Sequence, residues 1–293
     1  MAKNDEFYTL LKDIEAELKH YSFGNKIVYC PCDNYEHSNF ALYFSKNFKH
    51  LKLKSLICSC YYPQQTHFFE NYKRGFWVEF NGKEWSNKHY FKNGNGDFRS
   101  AECAELKARA DCIVTNPPFS LFTDFFFWIL EKQFLCVFPQ TAITQRRIFP
   151  YFQQRKVWLG KSIRTHGRLF QVPDYFTIKD FHHSRIKNGV KFCEVDSARW
   201  VTNMQKFKEK DLLLTENYTP ERYPKFDNYN AINVDKKGEI PCDYFEEMGV
   251  PACFFNYWSP SQFDVLSVQH KLVLNGKNKN IRIIIKRKNN NEP

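Results

Sequence analysis

The sequence lacks a long apolar run, a signal-like start and any internal repeat. Its most apolar stretch, LFTDFFFWIL, contains an aspartate and is far shorter than the roughly 20 apolar residues that a membrane-spanning helix needs. The first residues, MAKNDEFYTLLKDIEAEL, contain no apolar core like that of a secretory signal. We therefore expect no membrane segment and a cytoplasmic location.

Cysteine is not scarce, but the context for disulfides is missing. Ten cysteines without a secretory signal are typical of reduced thiols in a cytosol, so we expect no disulfide framework. The pairs Cys30/Cys32 and Cys58/Cys60 raise the alternative of a zinc site. Structural zinc sites more often use cysteines two to four residues apart around a turn. We expect small apolar packing at two strand ends, and no metal.

Positive charge is abundant. Lys and Arg total 43 against 32 Asp and Glu, which gives a formal charge of +11 and an isoelectric point near 9.1. This excess predicts a polyanionic partner, nucleic acid first. The alternative is a basic surface that serves solubility or reflects Lys-rich usage. Hydrophobic residues at 43% and charged residues at 26% indicate a globular protein.

The first 160 residues alternate predicted strands and helices. An amphipathic helix is predicted over DEFYTLLKDIEAELKHY, and SNFALYFSKNF is a helix that Ser38 or Asn39 caps. Buried strands are predicted in KIVYCPCD, LKSLICSCYY, DCIVTNPPF and QFLCVFPQ, with a hairpin at the sheet edge around an Asn-Gly turn. This alternation predicts an α/β fold with a doubly wound, parallel sheet that binds ligands at the carboxyl ends of its strands.

The composition and the periodicity of the sequence change near residue 160. Segment KSIRTHGRLFQVPDYFTIKDFHHSRIKNGVKF is rich in Arg, His and Lys, with short alternating runs and no helical period. We therefore predict a catalytic core over residues 1–160 and a recognition region over 161–225. Strands over 226–293 are expected to complete the fold before a basic tail.

The stretch DCIVTNPPFSLF ends a predicted buried strand with an amide, two prolines and an aromatic ring. Proline fixes φ and has no N–H, so Pro117 and Pro118 make a rigid turn whose carbonyls can face a ligand. The Asn116 side-chain oxygen and a proline carbonyl together suit an amino group, and Phe119 offers a face for a planar base. The alternative is a strand that ends in a proline turn with a core Phe.

Motif NPPF is similar to the N-P-P-[FY] signature of amino-methyltransferases that use S-adenosylmethionine. Together with VYCPCD, GDFRS, VWLG, YPKFDNYNAINV and MGVP in this order, it resembles the EcoRI-type adenine-specific modification methylases over nearly the whole chain. The resemblance implies a Rossmann-like methyltransferase sheet with catalytic residues Asn116, Pro117, Pro118 and Phe119. It further implies cofactor contacts at Tyr8, Thr9, Cys30, Asp33, Asn39, Asp97 and Phe98.

Within that set, Asp97 and Phe98 are expected to meet the cofactor's adenine by hydrogen bonding and stacking. Each of these residues also has a purely structural alternative. Asp33 or Asn39 could cap a helix, Asp97 could stabilise a Gly-rich turn, and Tyr8 could belong to the core. The segment CPCDNYEHSNF also has no glycine, although methyltransferases in general have a Gly-rich loop there.

The resemblance implies N6 methylation of an adenine that is swung out of duplex DNA, in a restriction-modification system. We expect a monomer whose DNA face contains arginines Arg146, Arg147, Arg164, Arg168 and Arg185, although any one of these could instead be solvated or paired. Two alternatives remain: methylation of RNA or a protein amide, and a catalytically idle DNA-binding module.

Overall fold

The computed structural model describes residues 7–62, 74–92, 95–162, 168–174, 184–195, 198–205 and 210–289. Its strands are β1 (Tyr8–Thr9), β2 (Ile27–Cys30), β3 (Ser55–Cys60), β4 (Phe76–Phe80), β5 (His89–Tyr90), β6 (Cys112–Thr115), β7 (Gln133–Pro139), β8 (Trp158–Leu159), β9 (Arg168–Gln171), β10 (Ser184–Lys187), β11 (Val190–Val195), β12 (Ala198–Thr202), β13 (Lys225–Phe226), β14 (Tyr229–Asn233), β15 (Glu247–Pro251), β16 (Phe263–Gln269), β17 (Val273–Leu274), β18 (Lys277–Asn278) and β19 (Arg282–Arg287). Its helices are α1 (Leu11–Leu18), α2 (Asn39–Lys46), α3 (Ala101–Arg109), α4 (Phe122–Ile129), α5 (Thr141–Thr144) and α6 (Phe149–Gln153), with 3₁₀ turns at Phe119–Leu121, Lys237–Glu239 and Ala252–Asn256.

The chain forms two compact units, and each is discontinuous in sequence. The first unit contains Met1–Pro139 and Gly160–Gln205, and the second contains Gln140–Leu159 and Lys206–Pro293. These boundaries differ from the predicted division at 160 and 225. Residues 226–293 do not complete the first unit but belong to the second, and residues 160–205 lie in the first.

A mixed sheet forms the centre of the first unit. Those of its strands that belong to this unit lie in the order β5-β4-β3-β2-β6-β7-β12. Neighbours β3, β2, β6 and β7 are parallel, whereas β4, β5 and β12 pair antiparallel at the two sides. The parallel strands are buried along almost their whole length, as expected for strands covered on both faces. The predicted edge hairpin corresponds to β4 and β5.

A smaller antiparallel sheet in the first unit has the order β1-β9-β11-β10. Tyr8 pairs with Gln171 and Thr9 pairs with Phe170. The predicted first helix therefore starts later than its apolar spacing indicated: α1 begins at Leu11, because the residues before it extend and pair with β9.

The second unit contains a sheet in the order β13-β14-β15-β19-β16 and the hairpin β17-β18. Phe226, Leu272, Leu274 and Ile284 pack together in its core. The hairpin turns at Asn275 and Gly276, which have φ values of 50° and 73°, as a two-residue Asn-Gly turn requires.

Candidate active site

Three parallel strands of the first unit end beside one another, and the residues that follow them are hydrogen bonded. The Asp33 N–H, after β2, donates to the Ser59 carbonyl of β3 at 2.8 Å. The Asp33 carboxylate accepts from Thr115 Oγ1 at the end of β6, at 2.6 Å. Because β2 lies between β3 and β6, Asp33 joins the ends of three adjacent strands.

The Asp33 carboxylate is partly buried and well bonded. Its second oxygen accepts from Ser38 Oγ at 2.6 Å, and Ser38 in turn caps α2 by accepting from the N–H groups of Phe40 and Ala41. Burial raises the pKa of Asp33 to about 6, while the hydrogen bonds from Ser38 and Thr115 oppose this rise. Of the two predicted cap residues, Ser38 and Asn39, Ser38 is therefore the one that caps α2. Its hydrogen bond to Asp33 holds the Ser38 hydroxyl in place.

The turn after β2 takes a left-handed conformation without a glycine. Cys32 has a φ of 65°, a region that residues with a Cβ rarely adopt. The Thr115 hydroxyl also lies 2.6 Å from the carbonyl oxygen of Pro31. Cys32 therefore adopts, without a glycine, a conformation that glycine adopts more readily.

The Asn116 amide lies directly after β6. Its Nδ2 donates to the Phe7 carbonyl, whereas its Oδ1 is buried and has no hydrogen-bond partner among the described residues. A buried amide oxygen without a partner is costly in a folded protein. It therefore marks a position where an incoming N–H would be favourable.

Phe119 lies in a group of three aromatic rings. Its centroid is 5.1 Å from the ring of Phe7 and 6.1 Å from the ring of Phe170. Phe119 is only half-buried, while Phe7 and Phe170 are buried. The carbonyl of Pro118 accepts from Leu121 N at 3.0 Å, which forms the 3₁₀ turn that leads into α4.

The predicted cofactor residues Tyr8, Thr9 and Asn39 lie close to this motif. The Asn39 amide donates to the Thr9 carbonyl at 2.8 Å. Thr9 is buried, and its hydroxyl has no partner within the described ranges. Tyr8 is 43% exposed, so the alternative that it is a core residue is wrong. Cys30 is fully buried in β2, with Cys58 as its register neighbour on β3.

The predicted role of Phe98 does not fit its surroundings, whereas that of Asp97 stays a prediction. Asp97 accepts from the Arg99 guanidinium at 2.9 and 2.6 Å, and these bonds lower the pKa of its carboxyl. Asp97 thus holds a turn, the alternative considered above. The ring of Phe98 is 3% exposed and packs edge-on against Phe125 and Trp128. The prediction that it stacks on adenine is therefore wrong for this structure.

Gly96 explains why this turn packs so tightly on the end of β3. It has a φ of 88°, and a Cβ built there would lie 2.3 Å from the carbonyl oxygen of Cys60. A glycine is required both by the conformation and by the close approach of the two backbones.

The predicted DNA-contacting arginines that the structure describes divide into an exposed group and one buried residue. Arg146, Arg147 and Arg185 are exposed, and Arg164 lies outside the described residues. Arg168 was wrongly assigned, because its side chain is buried, lies 3.5 Å from the Asp13 carboxylate and stacks over the Trp200 ring. Arg168 therefore stabilises the interior of the first unit. The basic composition of its segment had indicated a surface residue.

The described ranges bear on two questions, a metal site and a membrane span. No group of three or more His, Cys, Asp or Glu residues there is arranged to hold a metal ion. No helix there has both the length and the apolar character needed to cross a membrane. All ten cysteines are free thiols.

Phe7, Ser38 and Thr115 are site residues that the sequence did not reveal as such. Thr115 directly precedes the Asn-Pro-Pro-Phe motif, and Ser38 is recognisable only as a helix cap. The role of Phe7 depends on its backbone carbonyl, which carries no residue-specific signal.

Comparison with known proteins adds independent information. The profile of one family, described as adenine-specific methyltransferase EcoRI, matches residues 1–292. The Type II methyltransferase M.EcoRI of Escherichia coli is 39% identical over 98% of this chain and 94% of its own length. The Type II methyltransferase M.MpnI of Mycoplasma pneumoniae is 38% identical over 90% of this chain and 82% of its own. M.MgeORF184P of Mycoplasma genitalium is 35% identical over 90% of this chain and 83% of its own. No solved structure gave a significant match.

Proposed function

The chain belongs to the EcoRI family of adenine-specific methyltransferases, and from this premise we propose that it transfers a methyl group from S-adenosylmethionine to the N6 amine of a specific adenine in duplex DNA. Its biological role is modification in a restriction-modification system. The observation that carries the proposal is the buried Oδ1 of Asn116, which has no partner in the described part of the chain.

The core of the first unit is a doubly wound, Rossmann-like sheet in this proposal. The chain passes from β2 to β3 on one side and then to β6 and β7 on the other. Ligands of such sheets bind at the carboxyl ends of the strands, where the direction of winding reverses. That point lies between β2 and β6, next to Asp33 and Asn116.

The residues at this point fit S-adenosylmethionine, which is a cation with an amino acid end. The Asp33 carboxylate supplies a negative charge for the cofactor's ammonium group, and the Thr9 hydroxyl, which has no partner among the described residues, supplies a further polar contact. Tyr8 and Asn39 border the same place. When bound, the cofactor supplies an electrophilic methyl group on its sulfonium.

Asn116 and Pro117 position the N6 amine of the adenine. The N6 lone pair is conjugated into the purine ring and is a poor nucleophile, so acceptors that draw its hydrogens favour the pyramidal geometry as positive charge develops. Asn116 Oδ1 is one such acceptor. The Pro118 carbonyl already accepts from Leu121, and we therefore assign the second acceptor to Pro117.

Phe119 holds the plane of the base. Its half-exposed ring offers a stacking face, and stacking of a base on an aromatic ring is worth about 1–3 kcal/mol. Extrusion of an adenine from a duplex costs a few kcal/mol. Stacking and phosphate contacts together offset this cost, and the exposed Arg146, Arg147 and Arg185 are the phosphate contacts that we assign.

The test is a transfer assay with methyl-labelled S-adenosylmethionine and duplexes of varied sequence. The wild-type protein should form N6-methyladenine. Asn116→Ala should lower the single-turnover rate by about 10²- to 10³-fold, the usual effect of losing one preorganised polar group. Asn47→Ala is a matched control, because Asn47 Nδ2 donates to the Tyr43 carbonyl within α2 and its neighbouring turn, and its rate should stay near wild type.

The competing functions predict different products in the same assay. Label in RNA or in a protein, and none in duplex DNA, would identify another amine or amide as the acceptor. DNA binding without calorimetric binding of the cofactor would identify an idle DNA-binding module. Equal rates for the wild type and Asn116→Ala would remove the amide from the mechanism.

A further inference from the structure

Two asparagine amides from different elements hold the same N-terminal segment. The Asn116 amide, after β6, donates to the Phe7 carbonyl, and the Asn39 amide, at the start of α2, donates to the Thr9 carbonyl at 2.8 Å. Pairing of β1 with β9 holds the segment from a third side. Residues 7–9 are thus fixed by contacts to three separate parts of the first unit.

The Phe7 carbonyl decides which way the Asn116 amide faces. An asparagine amide has an acceptor oxygen on one side and a donor nitrogen on the other. Rotation by half a turn would bring Oδ1 against the Phe7 carbonyl oxygen, where two acceptors repel each other. The hydrogen bond from Nδ2 therefore directs Oδ1 to the opposite side, where it is buried without a partner among the described residues.

Phe7 also contacts the other end of the motif. Its ring lies 5.1 Å from the ring of Phe119 at an interplanar angle of 36°. A single residue outside the motif therefore contacts both the amide that would accept from the amine and the ring that would support the base.

We propose that residues 7–9 are a positioning element for catalysis: the Phe7 carbonyl orients the Asn116 amide so that Oδ1 accepts from the amine that is methylated, and Asn39 holds the segment in place. This inference rests on the proposed methyl transfer and deepens it. Phe7 and Asn39 act through Asn116 and need no contact with the base. Asn39 therefore has a positioning role in addition to its position next to the cofactor site.

Asn116→Asp tests the orientation directly, because it keeps an acceptor and removes the donor. At about pH 8 its carboxylate meets the Phe7 carbonyl oxygen, and we expect a single-turnover rate about tenfold below wild type. Burial and the facing carbonyl oxygen of Phe7 disfavour the charged form and raise the pKa of this carboxyl group. At about pH 6 part of it is therefore neutral, and the neutral form can donate to that carbonyl and accept with its other oxygen. The ratio of the variant rate to the wild-type rate should therefore rise several-fold as the pH falls.

The ratio is used because Asp33, bonded to the adjoining Thr115, titrates in the wild type and the variant alike. A ratio that does not change with pH would overturn the proposal, since an amide with a merely structural role has no reason to recover on protonation.

Asn39→Asp tests the second amide. A negative charge suits the start of a helix, so α2 should keep its fold while the bond to the Thr9 carbonyl is lost. We expect faster hydrogen exchange in residues 7–9 and a several-fold lower rate. The loss in the double variant with Asn116→Asp should be smaller than the product of the two single losses, because both substitutions act through one segment.

The matched control is Asn47→Asp, the same substitution near the other end of α2, where the amide donates to the Tyr43 carbonyl. Its rate and its exchange in residues 7–9 should match wild type. Faster exchange in Asn39→Asp with an unchanged rate would overturn the proposal, and so would strictly multiplicative losses. A wild-type protein that transfers no methyl group would instead refute the proposed function, while hydrogen exchange in Asn39→Asp would still test how the segment is held.

Discussion

Cys32 is a non-glycine residue in a left-handed backbone conformation. Its φ of 65° costs a residue with a Cβ about 1–2 kcal/mol relative to glycine. Cys32→Gly should therefore be about 1 kcal/mol more stable to urea than Cys32→Ala, because both lose the thiol and only alanine keeps the strained Cβ. If the two variants have the same free energy of unfolding, the turn is not strained.

Asp33 should give the proposed cofactor site a pH dependence. Its pKa is raised to about 6, so in the free protein the carboxyl group is protonated below that pH and ionised above it. A cationic cofactor binds the ionised form better, and its affinity should increase as the pH rises through about 6 and level off above. Calorimetric titration with S-adenosylmethionine from about pH 5 to 8 measures this.

Asp33→Asn provides the comparison for that titration. It should bind the cofactor more weakly at about pH 8 and with an affinity that no longer rises near pH 6. A wild-type affinity that is constant across this range would separate Asp33 from the cofactor.

The Asn-Pro-Pro-Phe corner was predictable because its conformation depends on neighbouring residues alone. A buried strand ends there, two prolines make the turn rigid, and Asn116 directly follows the strand. Phe98 and Arg168 could not be placed in the same way. Each belongs to a residue type that serves ligands or the interior equally well, and their burial depends on Trp128 and Asp13, which are distant in sequence.

At the scale of elements, Glu17 joins α1 to a segment that follows much later in the chain. Its buried carboxylate accepts from Tyr21 OH at 2.6 Å and from the N–H groups of Lys161 and Ser162 at 2.7 and 2.6 Å. This attachment fixes the helix that directly follows residues 7–9. The apolar spacing of α1 was visible in the sequence, but this buried acid and the pairing of β1 were not, because their partners are far away in the chain.

Glu17→Ala should lower the free energy of unfolding by about 3 kcal/mol or more, because it leaves several buried donors without an acceptor. Glu15→Ala, on the exposed face of the same helix, should change it by less than about 0.5 kcal/mol. Urea denaturation followed by tryptophan fluorescence measures both. Similar losses for the two variants would contradict a specific role for the buried carboxylate.

At the scale of the whole molecule, the formal charge of +11 predicts salt-sensitive binding to DNA. Arg185→Ala should weaken binding to all duplexes alike and reduce the slope of log affinity against log salt by about one. Arg109→Ala is the control, because that exposed arginine pairs with Glu79 at 2.5 Å. Fluorescence anisotropy at several salt concentrations gives the slopes, and equal slopes for Arg185→Ala and wild type would remove Arg185 from the phosphate contacts.

The alternation of strands and helices was enough to predict an α/β core, whereas the boundaries of the units were not predictable. The sequence predicted a boundary at residue 160 because its composition and periodicity change there. In the structure, however, the second unit combines Gln140–Leu159 with Lys206–Pro293. The composition of a segment does not indicate which distant segments it packs against.

That interleaving has a consequence for synthesis on the ribosome. Phe149 and Phe152 of α6 pack against Phe255, which is translated about a hundred residues later, or roughly 5–20 s at ordinary elongation rates. During that interval two large rings on the nascent chain lack the Phe255 ring that they pack against. The second unit can therefore close its core only after its last strands have been translated.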